Sequence, residues 1–205
     1  FCMALRTDGT VRVVDESNMG IANAEHWKDV ISIDASHNHA IGLCLDGSVV
    51  SVGNNNCGQC EVSHWTEMQA IGVNNQVTVG VKKDGTVILT GKEQAIIRGE
   101  KEGEAGEKII GEGWTDIVQI EVASNYVYGL QKDGTVLCIN FGGDMYEEEA
   151  EEFRAAASNW EPIARLCDCS NLQPNVVGIT KSGKIVAGIG FIEHVTEPYL
   201  SEWSD

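Results

Sequence analysis

The sequence holds one motif with the spacing of a metal or redox site. Cys57 and Cys60 are separated by two residues, and His64 follows four residues after the second thiol. Thiolate and imidazole ligands at such spacing are typical of structural zinc sites, which need four ligands in total. Because no second cysteine pair has a suitable spacing, zinc would also need His26 or His37. We therefore expect a turn at this motif, with no metal and no cofactor.

Two stretches rich in glutamate are the other candidates for binding chemistry. Residues 92–113 are charged and interrupted by glycine, which predicts a surface loop or long hairpin in place of a short fourth strand. Residues 145–157 are good helix formers and predict a short acidic helix with one apolar face, formed by Tyr146, Ala150 and Phe153. Their carboxylates could bind a basic protein or a divalent cation, although a run of Glu is usually solvated surface. The selected partner-binding residues are Glu100, Glu102, Glu104, Glu147, Glu148 and Glu151.

Composition excludes several function classes. The chain has 31 Asp and Glu against 14 Lys and Arg, a net charge of −17, so it should repel nucleic acid. No apolar run approaches the roughly 20 residues of a membrane-spanning helix. Four of the seven cysteines lie in or beside apolar runs, which favours reduced, buried thiols in the cytoplasm over a disulfide framework: Cys2, Cys44, Cys138 and Cys167.

A five-fold repeat must position all these residues. Its most regular feature is an Asp-Gly or Ser-Gly pair between two apolar runs, at 8–9, 46–47, 84–85, 133–134 and 182–183. Such pairs predict tight β-hairpins, because glycine tolerates the positive φ that the turn requires. Four residues before each pair stands a small residue, as expected where strands crowd together: Ala4, Gly42, Gly80, Gly129 and Gly178.

All five tryptophans occupy a second column of the repeat. From Trp27, Trp65 and Trp114 the turn Asp is always 19 residues away (27 to 46, 65 to 84 and 114 to 133), and an acid stands two residues after each Trp. We interpret these indoles, together with Trp160 and Trp203, as structural groups packed between neighbouring units with their N–H bonded locally. His39 falls in a third column, occupied elsewhere by Phe1, Val77, Tyr126 and Asn175, and is interpreted as a packing residue.

The repeat predicts an all-β fold. Each unit offers three strands and a possible short fourth, for example at 59–62. One such sheet cannot bury both faces alone, and a radial ring protects sheet edges, whereas shorter repeats would suit a solenoid and weaker periodicity a sandwich. We therefore predict a β-propeller of about five blades with one short acidic helix inserted. It forms a single domain over 1–205 with blades at 1–27, 28–65, 66–114, 115–160 and 161–205.

The second unit carries a resemblance to a known family. Its pattern Trp27-x-Asp29-Val30, His39-Ala40-Ile41-Gly42-Leu43, Asp46-Gly47-Ser48-Val49-Val50 and Gly53-Asn54-Asn55-x-x-Gly58-Gln59 resembles the regulator of chromosome condensation repeat, especially its short bacterial variants. The resemblance covers nearly the whole chain and is poorest in the fourth unit. That family commonly makes seven blades, so the resemblance implies either a five-bladed ring with one incomplete blade or part of a larger ring.

The sequence favours a non-catalytic, protein-binding function. It contains no Gly-x-Ser-x-Gly elbow, no Gly-x-x-x-x-Gly-Lys-Ser/Thr phosphate loop and no His-Glu-x-x-His, so we assign no catalytic residue. Divergent loops on a repetitive scaffold favour a module that presents one face of a propeller to a protein partner. The resemblance implies an alternative, since family members include guanine-nucleotide exchange factors for a small GTPase and a bacterial relative that inhibits β-lactamases.

Overall fold

The computed structural model describes residues 1–14, 20–74, 76–91, 107–142, 146–168 and 176–187. The chain divides into two compact units, residues 1–115 and 116–205. Each is built from small antiparallel sheets in which consecutive strands are neighbours. Every predicted blade range contains one of these sheets, while one domain over 1–205 stays a prediction.

The first unit contains three sheets. The first pairs β1 (Cys2–Leu5) with β2 (Val11–Val14), and a 3-10 helix (Ile21–His26) follows. The second comprises β3 (Val30–Ala35), β4 (His39–Cys44) and β5 (Val49–Gly53). The third comprises β6 (Met68–Val73), β7 (Val77–Lys82), β8 (Val87–Gly91) and β9 (Lys108–Gly111). The apolar residues Ile41, Leu43, Trp65, Met68 and Ile71 form a core between the second and third sheets.

The second unit contains two sheets and a helix. One sheet comprises β10 (Ile117–Ala123), β11 (Tyr126–Gln131) and β12 (Val136–Asn140). The other comprises β13 (Ile163–Asp168), β14 (Val176–Thr180) and β15 (Ile185–Ala187). Between them lies α1 (Glu147–Ala157), which confirms the predicted acidic helix.

The five predicted hairpins are confirmed, and each glycine of the turn has positive φ, between 78° and 103°. Their carbonyl groups join one sheet to the next. The carbonyl oxygen of Gly9 accepts a hydrogen bond from the Val30 N–H (3.1 Å), Gly47 from Met68 (3.0 Å) and Gly134 from Ile163 (2.9 Å). These three hairpins are therefore fixed by backbone atoms at the start of the following sheet.

The acid two residues after each Trp also has a backbone role. Asp29, Glu67 and Asp116 have φ between 55° and 58°, in the left-handed region. Their carbonyl oxygens accept hydrogen bonds from hairpin N–H groups of their own sheets, at 2.8 to 2.9 Å. Pro162 occupies this column in the last sheet, and its carbonyl still accepts the N–H of Lys181 at 2.8 Å. This repeat position therefore contributes through its backbone carbonyl more than through the charge of its side chain.

The first strand of each complete sheet contains a β-bulge at one repeat position. The register shifts at Ile31, Gln69, Val118 and Ala164, each four residues after a Trp. An extra residue at a bulge turns its side chain out of the regular alternation. Ile31 and Val118 are accordingly 53% and 58% exposed despite being apolar.

Two glycines of the column, Gly42 and Gly80, make room for tryptophans. A Cβ on Gly42 would lie 3.0 Å from the ring of Trp27, and one on Gly80 would lie 2.7 Å from that of Trp65. Both indoles are buried. Ala4, in the same column, is exposed, contrary to the prediction, because the two-stranded first sheet provides no Trp above it.

Three further predictions are wrong. Residues 59–62 form turns, because the N–H groups of Cys60, Glu61 and Val62 are bonded within the loop that begins at Asn54. Residues 92–113 do not replace a fourth strand, since the stretch ends in β9, which pairs with β8. Cys2 is exposed because, like Ala4, it lies on the uncovered face of β1.

Candidate partner-binding surface

The helix α1 is held in place by its apolar face. Ala150, Phe153 and Ala157 are buried in the core of the second unit, and Tyr146 packs against it. The Phe153 ring lies 4.8 Å from that of Tyr128 and 5.5 Å from that of Trp160, both in edge-on geometry. Such pairs stabilise aromatic cores beyond the burial of their area alone. The helix is therefore an ordered part of the second unit.

Polar contacts also bind the first turn of α1 to the sheet. The Glu147 carboxylate accepts hydrogen bonds from Arg154 and from the Asn140 amide (3.3 Å), and Arg154 also donates to the Cys138 carbonyl at 3.2 Å. Arg154 lowers the pKa of Glu147 below its usual value. The hydroxyl of Tyr126 donates to the Glu149 carboxylate at 2.6 Å, and burial raises the pKa of that phenol. Glu147 is thus engaged in holding the helix.

The opposite face of α1 presents carboxylates to solvent. Glu148, Glu151 and Glu152 are exposed. Residues three and four positions apart lie on the same side of a helix, so these side chains form one acidic patch. We call these three residues the acidic face of α1. Two of the six predicted partner-binding residues, Glu148 and Glu151, belong to it.

The other predicted acids, Glu100, Glu102 and Glu104, lie outside the described residues. The described part of that stretch begins at Glu107. Its carboxylate accepts the indole N–H of Trp65 at 2.6 Å and lies 2.7 Å from Nε2 of His64. Partial burial alone would raise the pKa of Glu107, but these two hydrogen bonds outweigh it and lower the pKa. The Trp65 N–H is therefore bonded to a residue 42 positions away in the sequence.

The Cys57-x-x-Cys60 motif forms a turn. The Gln59 side chain is buried and accepts the Cys57 N–H at 2.9 Å, while the Cys60 thiol donates to the Asn54 carbonyl at 3.4 Å. Burial raises the pKa of Cys60. Within the described ranges, no group of three or more His, Cys, Asp or Glu residues is arranged to hold a metal ion.

Other cysteines show the same effect of burial. Cys44 and Cys138 are buried, whereas Cys167 is only half-buried. Burial raises the pKa of Cys138 to about 12, which keeps this thiol protonated. The six cysteines of the described segments are free thiols.

His39 lies in a buried hydrogen-bond chain. Its Nδ1 lies 2.9 Å from the Ser36 hydroxyl, and its Nε2 lies 3.0 Å from the hydroxyl of Thr78. Thr78 donates to the carbonyl of Gln59 at 2.7 Å, and Thr90 donates to that of Gly58 at 3.1 Å. These hydrogen bonds attach the loop that contains Gly58 and Gln59 to the third sheet. Burial lowers the pKa of His39 to about 4.

Sequence reasoning treated His39 only as a packing residue and missed this network. Two threonines inside otherwise apolar strands were the available signal, because a polar side chain in a buried run needs a partner.

No helix in the described part of the chain is long and apolar enough to cross a membrane.

Comparison with known proteins supports the repeat and the fold. The family model of the regulator of chromosome condensation (RCC1) repeat matches residues 30–59. No curated protein sequence matches the chain. Among solved structures, the chain is similar to the CRINKLY WD40 ectodomain of the receptor kinase ACR4 from Arabidopsis thaliana. Identity is 15%, over 90% of this chain and 62% of that one, with a TM-score of 0.59.

Two further solved structures are similar to the chain. Human WBSCR16 is 14% identical over 76% of this chain and 46% of that one, with a TM-score of 0.51. Yeast RCC1 (Prp20), in a structure bound to Kap60, is 14% identical over 65% of this chain and 40% of that one, with a TM-score of 0.46. The chain spans less than two thirds of the length of each of the three structures. Residues 30–59 are thus an RCC1-type repeat, and the fold that carries it is a β-propeller.

Proposed function

We propose that the chain is a non-catalytic protein-binding module and that the acidic face of α1 belongs to its binding surface. The observation that supports this most is the position of Glu148, Glu151 and Glu152. These carboxylates face solvent on a helix whose other side is held in the core by the buried Phe153. A helix already ordered before association loses little conformational entropy on binding.

The charge of the chain defines the partner that this surface fits. A net charge of −17 attracts a partner with a basic patch and repels acidic molecules over distances of about a Debye length. Exposed ion pairs contribute only about 0–1 kcal/mol each, so binding should use several contacts at once. Association should therefore slow as salt is added, because electrostatic steering acts mainly on the rate of association.

Charge reversal on the helix tests this proposal. The intact chain, the double variant Glu148→Lys with Glu151→Lys, the single variant Glu151→Lys and the control Glu112→Lys are immobilised and used to recover partners from the native cells. Glu112 is also an exposed glutamate, so it matches the charge change of Glu151→Lys on another part of the chain. We expect graded loss in the two helix variants and normal recovery by the control. Equal recovery by all four proteins would remove the helix from the binding surface.

Nucleotide exchange and enzyme inhibition remain the alternatives that the family resemblance implies. Both act through binding of another protein, so the recovered partner decides between them. Faster release of labelled GDP from a recovered small GTPase would favour the first, and loss of a recovered enzyme's activity would favour the second.

We further place the module in the cytoplasm and expect it to bind no nucleic acid. The negative field is the reason for the second expectation. A gel-shift assay at low salt, where phosphate contacts are strongest, provides the check. A shifted band would contradict it.

A further inference from the structure

Three turn aspartates lie close to a cation of the chain itself. In these hairpins, hydrogen bonds from the threonine two residues later lower the pKa of the aspartate, and the charge of a nearby cation lowers it further. The aspartates are Asp8, Asp84 and Asp133, and their cations are Arg6, Lys82 and Lys181. Lys181 also donates from Nζ to the carbonyl of Asp133 at 3.0 Å. A positive charge beside the turn carboxylate is therefore a common feature of the repeat.

Asp46, in the second hairpin, is the exception among the described turn aspartates. Hydrogen bonds from Ser48 lower its pKa, and no cation of the described residues adds to that effect. Two residues before Asp46 stands Cys44, where the neighbouring hairpins have Arg6 and Lys82. Directly before Asp46 stands Leu45, where the next three hairpins have lysine: Lys83, Lys132 and Lys181. The second hairpin therefore provides no cation of its own at either position.

A surface cavity of about 310 Å³ lies beside this hairpin. Its walls combine carboxylates with a thiol and an apolar side chain, and the lining residues are Lys28, Asp29, Cys44, Leu45, Asp46 and Ser48. Burial raises the pKa of the Cys44 thiol, and the charges of Asp46 and Asp29 raise it further. Both carboxylates therefore act on the same buried atom.

The two carboxylates can still accept hydrogen bonds from a ligand. Oδ1 of Asp46 accepts the N–H and the hydroxyl of Ser48, at 2.9 and 2.6 Å, which leaves Oδ2 for another donor. Among the described residues, the Asp29 carboxylate has no hydrogen-bond or ion-pair partner. Lys28 is exposed, and its charge does not contribute to the pKa of Asp46. The cavity therefore suits a positively charged group.

We propose that this cavity binds a lysine or arginine side chain of a protein partner. The ammonium or guanidinium group lies between Asp29 and Asp46, and the aliphatic stem packs on Leu45 and Cys44. Long basic side chains commonly bury their stems on apolar surface while the charged group stays at a polar site. The partner thus provides the cation that the neighbouring hairpins provide for themselves.

The assignment of a protein partner rests on the proposed binding function, although the cavity and the acidic face of α1 belong to different units of the chain. The net charge of −17 favours a basic partner. An exposed ion pair is weak by itself, so one basic side chain needs the support of further contacts. Leu45, which is 73% exposed, offers apolar surface for such contacts at the rim of the cavity.

NMR titration of the full, ¹⁵N-labelled chain tests the cavity directly. The probe is the peptide acetyl-Gly-Gly-Arg-Gly-Gly-amide, and the matched control peptide replaces arginine with citrulline, which keeps the shape but lacks the charge. We expect saturable shifts of the amide signals of Leu45, Asp46 and Ser48. The citrulline peptide should bind about tenfold more weakly, because the ion pairs with two carboxylates are lost.

Three variants locate the binding. Cys44→Lys places a lysine where the third hairpin has Lys82, so it should occupy the cavity and abolish the shifts. Ser63→Lys adds the same charge at an exposed position outside the cavity lining and should leave binding nearly unchanged. Lys28→Gln removes the positive charge of the lining and should strengthen binding. The amide spectrum shows whether each variant is folded, and loss of folding cannot imitate a gain in affinity.

Three results would overturn the proposal: no shifts of the cavity amides, equal binding of the two peptides, and unchanged binding by Cys44→Lys. Tighter binding of butylguanidinium than of the arginine peptide would assign the cavity to a free small cation and would overturn the protein partner. The charge-reversal variants of α1 test the proposed function separately, so failure of one surface is distinguishable from failure of the other.

Discussion

Nε2 of His39 lies 3.0 Å from the Thr78 hydroxyl, and this contact joins two sheets across 39 positions of sequence. Thr78 has one hydroxyl proton, which it donates to the Gln59 carbonyl at 2.7 Å. Its oxygen must therefore accept from His39, so the proton of the neutral imidazole is on Nε2. Nδ1 is then the acceptor for the hydroxyl of Ser36. Burial disfavours the charged imidazolium, so the neutral ring is the form that the folded chain favours.

We predict that acid weakens the fold through His39. Its pKa is about 4 in the folded chain and 6.5 when unfolded, so the unfolded chain binds the proton more readily. The contribution is present above pH 6.5 and is lost as pH falls from 6.5 toward 4. Linkage gives a loss of about 2 kcal/mol between pH 7 and pH 5. Urea unfolding at both pH values measures it, and His39→Gln should remove most of the difference.

Removing the hydroxyl of Thr78 should destabilise the first unit. Thr78→Val keeps the shape of the side chain but leaves the N–H of His39 and the carbonyl of Gln59 without this partner. Unpaired buried groups cost about 1–3 kcal/mol each, so these two should together lower the free energy of unfolding by about 2–6 kcal/mol. Thr66→Val, at an exposed threonine, is the control and should change stability little. Similar stability of both variants would contradict the role of the network.

Two hairpin glycines should differ in their tolerance of alanine. Gly134 and Gly183 occupy the same repeat position with φ of 103° and 88°, so Ala costs about 1–2 kcal/mol at either from the backbone alone. A Cβ at Gly134 would also lie 2.7 Å from the Ile163 nitrogen, whereas at Gly183 no described atom is within 4 Å. We expect Gly134→Ala to cost about 1–3 kcal/mol more. Chemical denaturation compares them, and equal losses would show that the joint tolerates a methyl group.

Truncating Phe153 should loosen α1. The ring is 1% exposed between Tyr128 and Trp160, and Phe→Ala in such a core costs about 3–5 kcal/mol. Hydrogen exchange of the α1 amides should accelerate in Phe153→Ala. The control Glu152→Ala, on the exposed side, should leave exchange unchanged. Unaltered exchange in Phe153→Ala would mean that other contacts hold the helix.

The hairpins, the glycine column and the helix could be predicted because each depends on residues close in sequence. Asp84 and Gly85 form a turn by local geometry, and Ala150 and Phe153 share a helix face by their spacing. The bulge at Ile31 could not be predicted. Because apolar residues stand both before and after Ile31 in the strand, the sequence pattern does not reveal that one extra residue interrupts the alternation of the strand. The strand expected at 59–62 failed because side chains such as Gln59 satisfy the loop's backbone locally.

The contacts of His39 and Glu107 were beyond local patterns for a different reason. Their partners Thr78 and Trp65 lie 39 and 42 residues away. Only stacking of one sheet on the next, or pairing within a completed sheet, brings them together. In the same way, the charge run predicted six binding glutamates but could not show that Glu147 is engaged by Arg154.

The hairpin carbonyl bonds have an evolutionary consequence. Gly9, Gly47 and Gly85 are spaced evenly, 38 residues apart (47 − 9 and 85 − 47). Each accepts its hydrogen bond through the backbone carbonyl, so no side chain takes part in the contact. Unequal recombination at equivalent codons of the gene would therefore insert or delete a whole repeat. The new junction between repeats would already contain the backbone N–H and the hairpin carbonyl of this hydrogen bond. The number of repeats could therefore change by duplication without compensating substitutions.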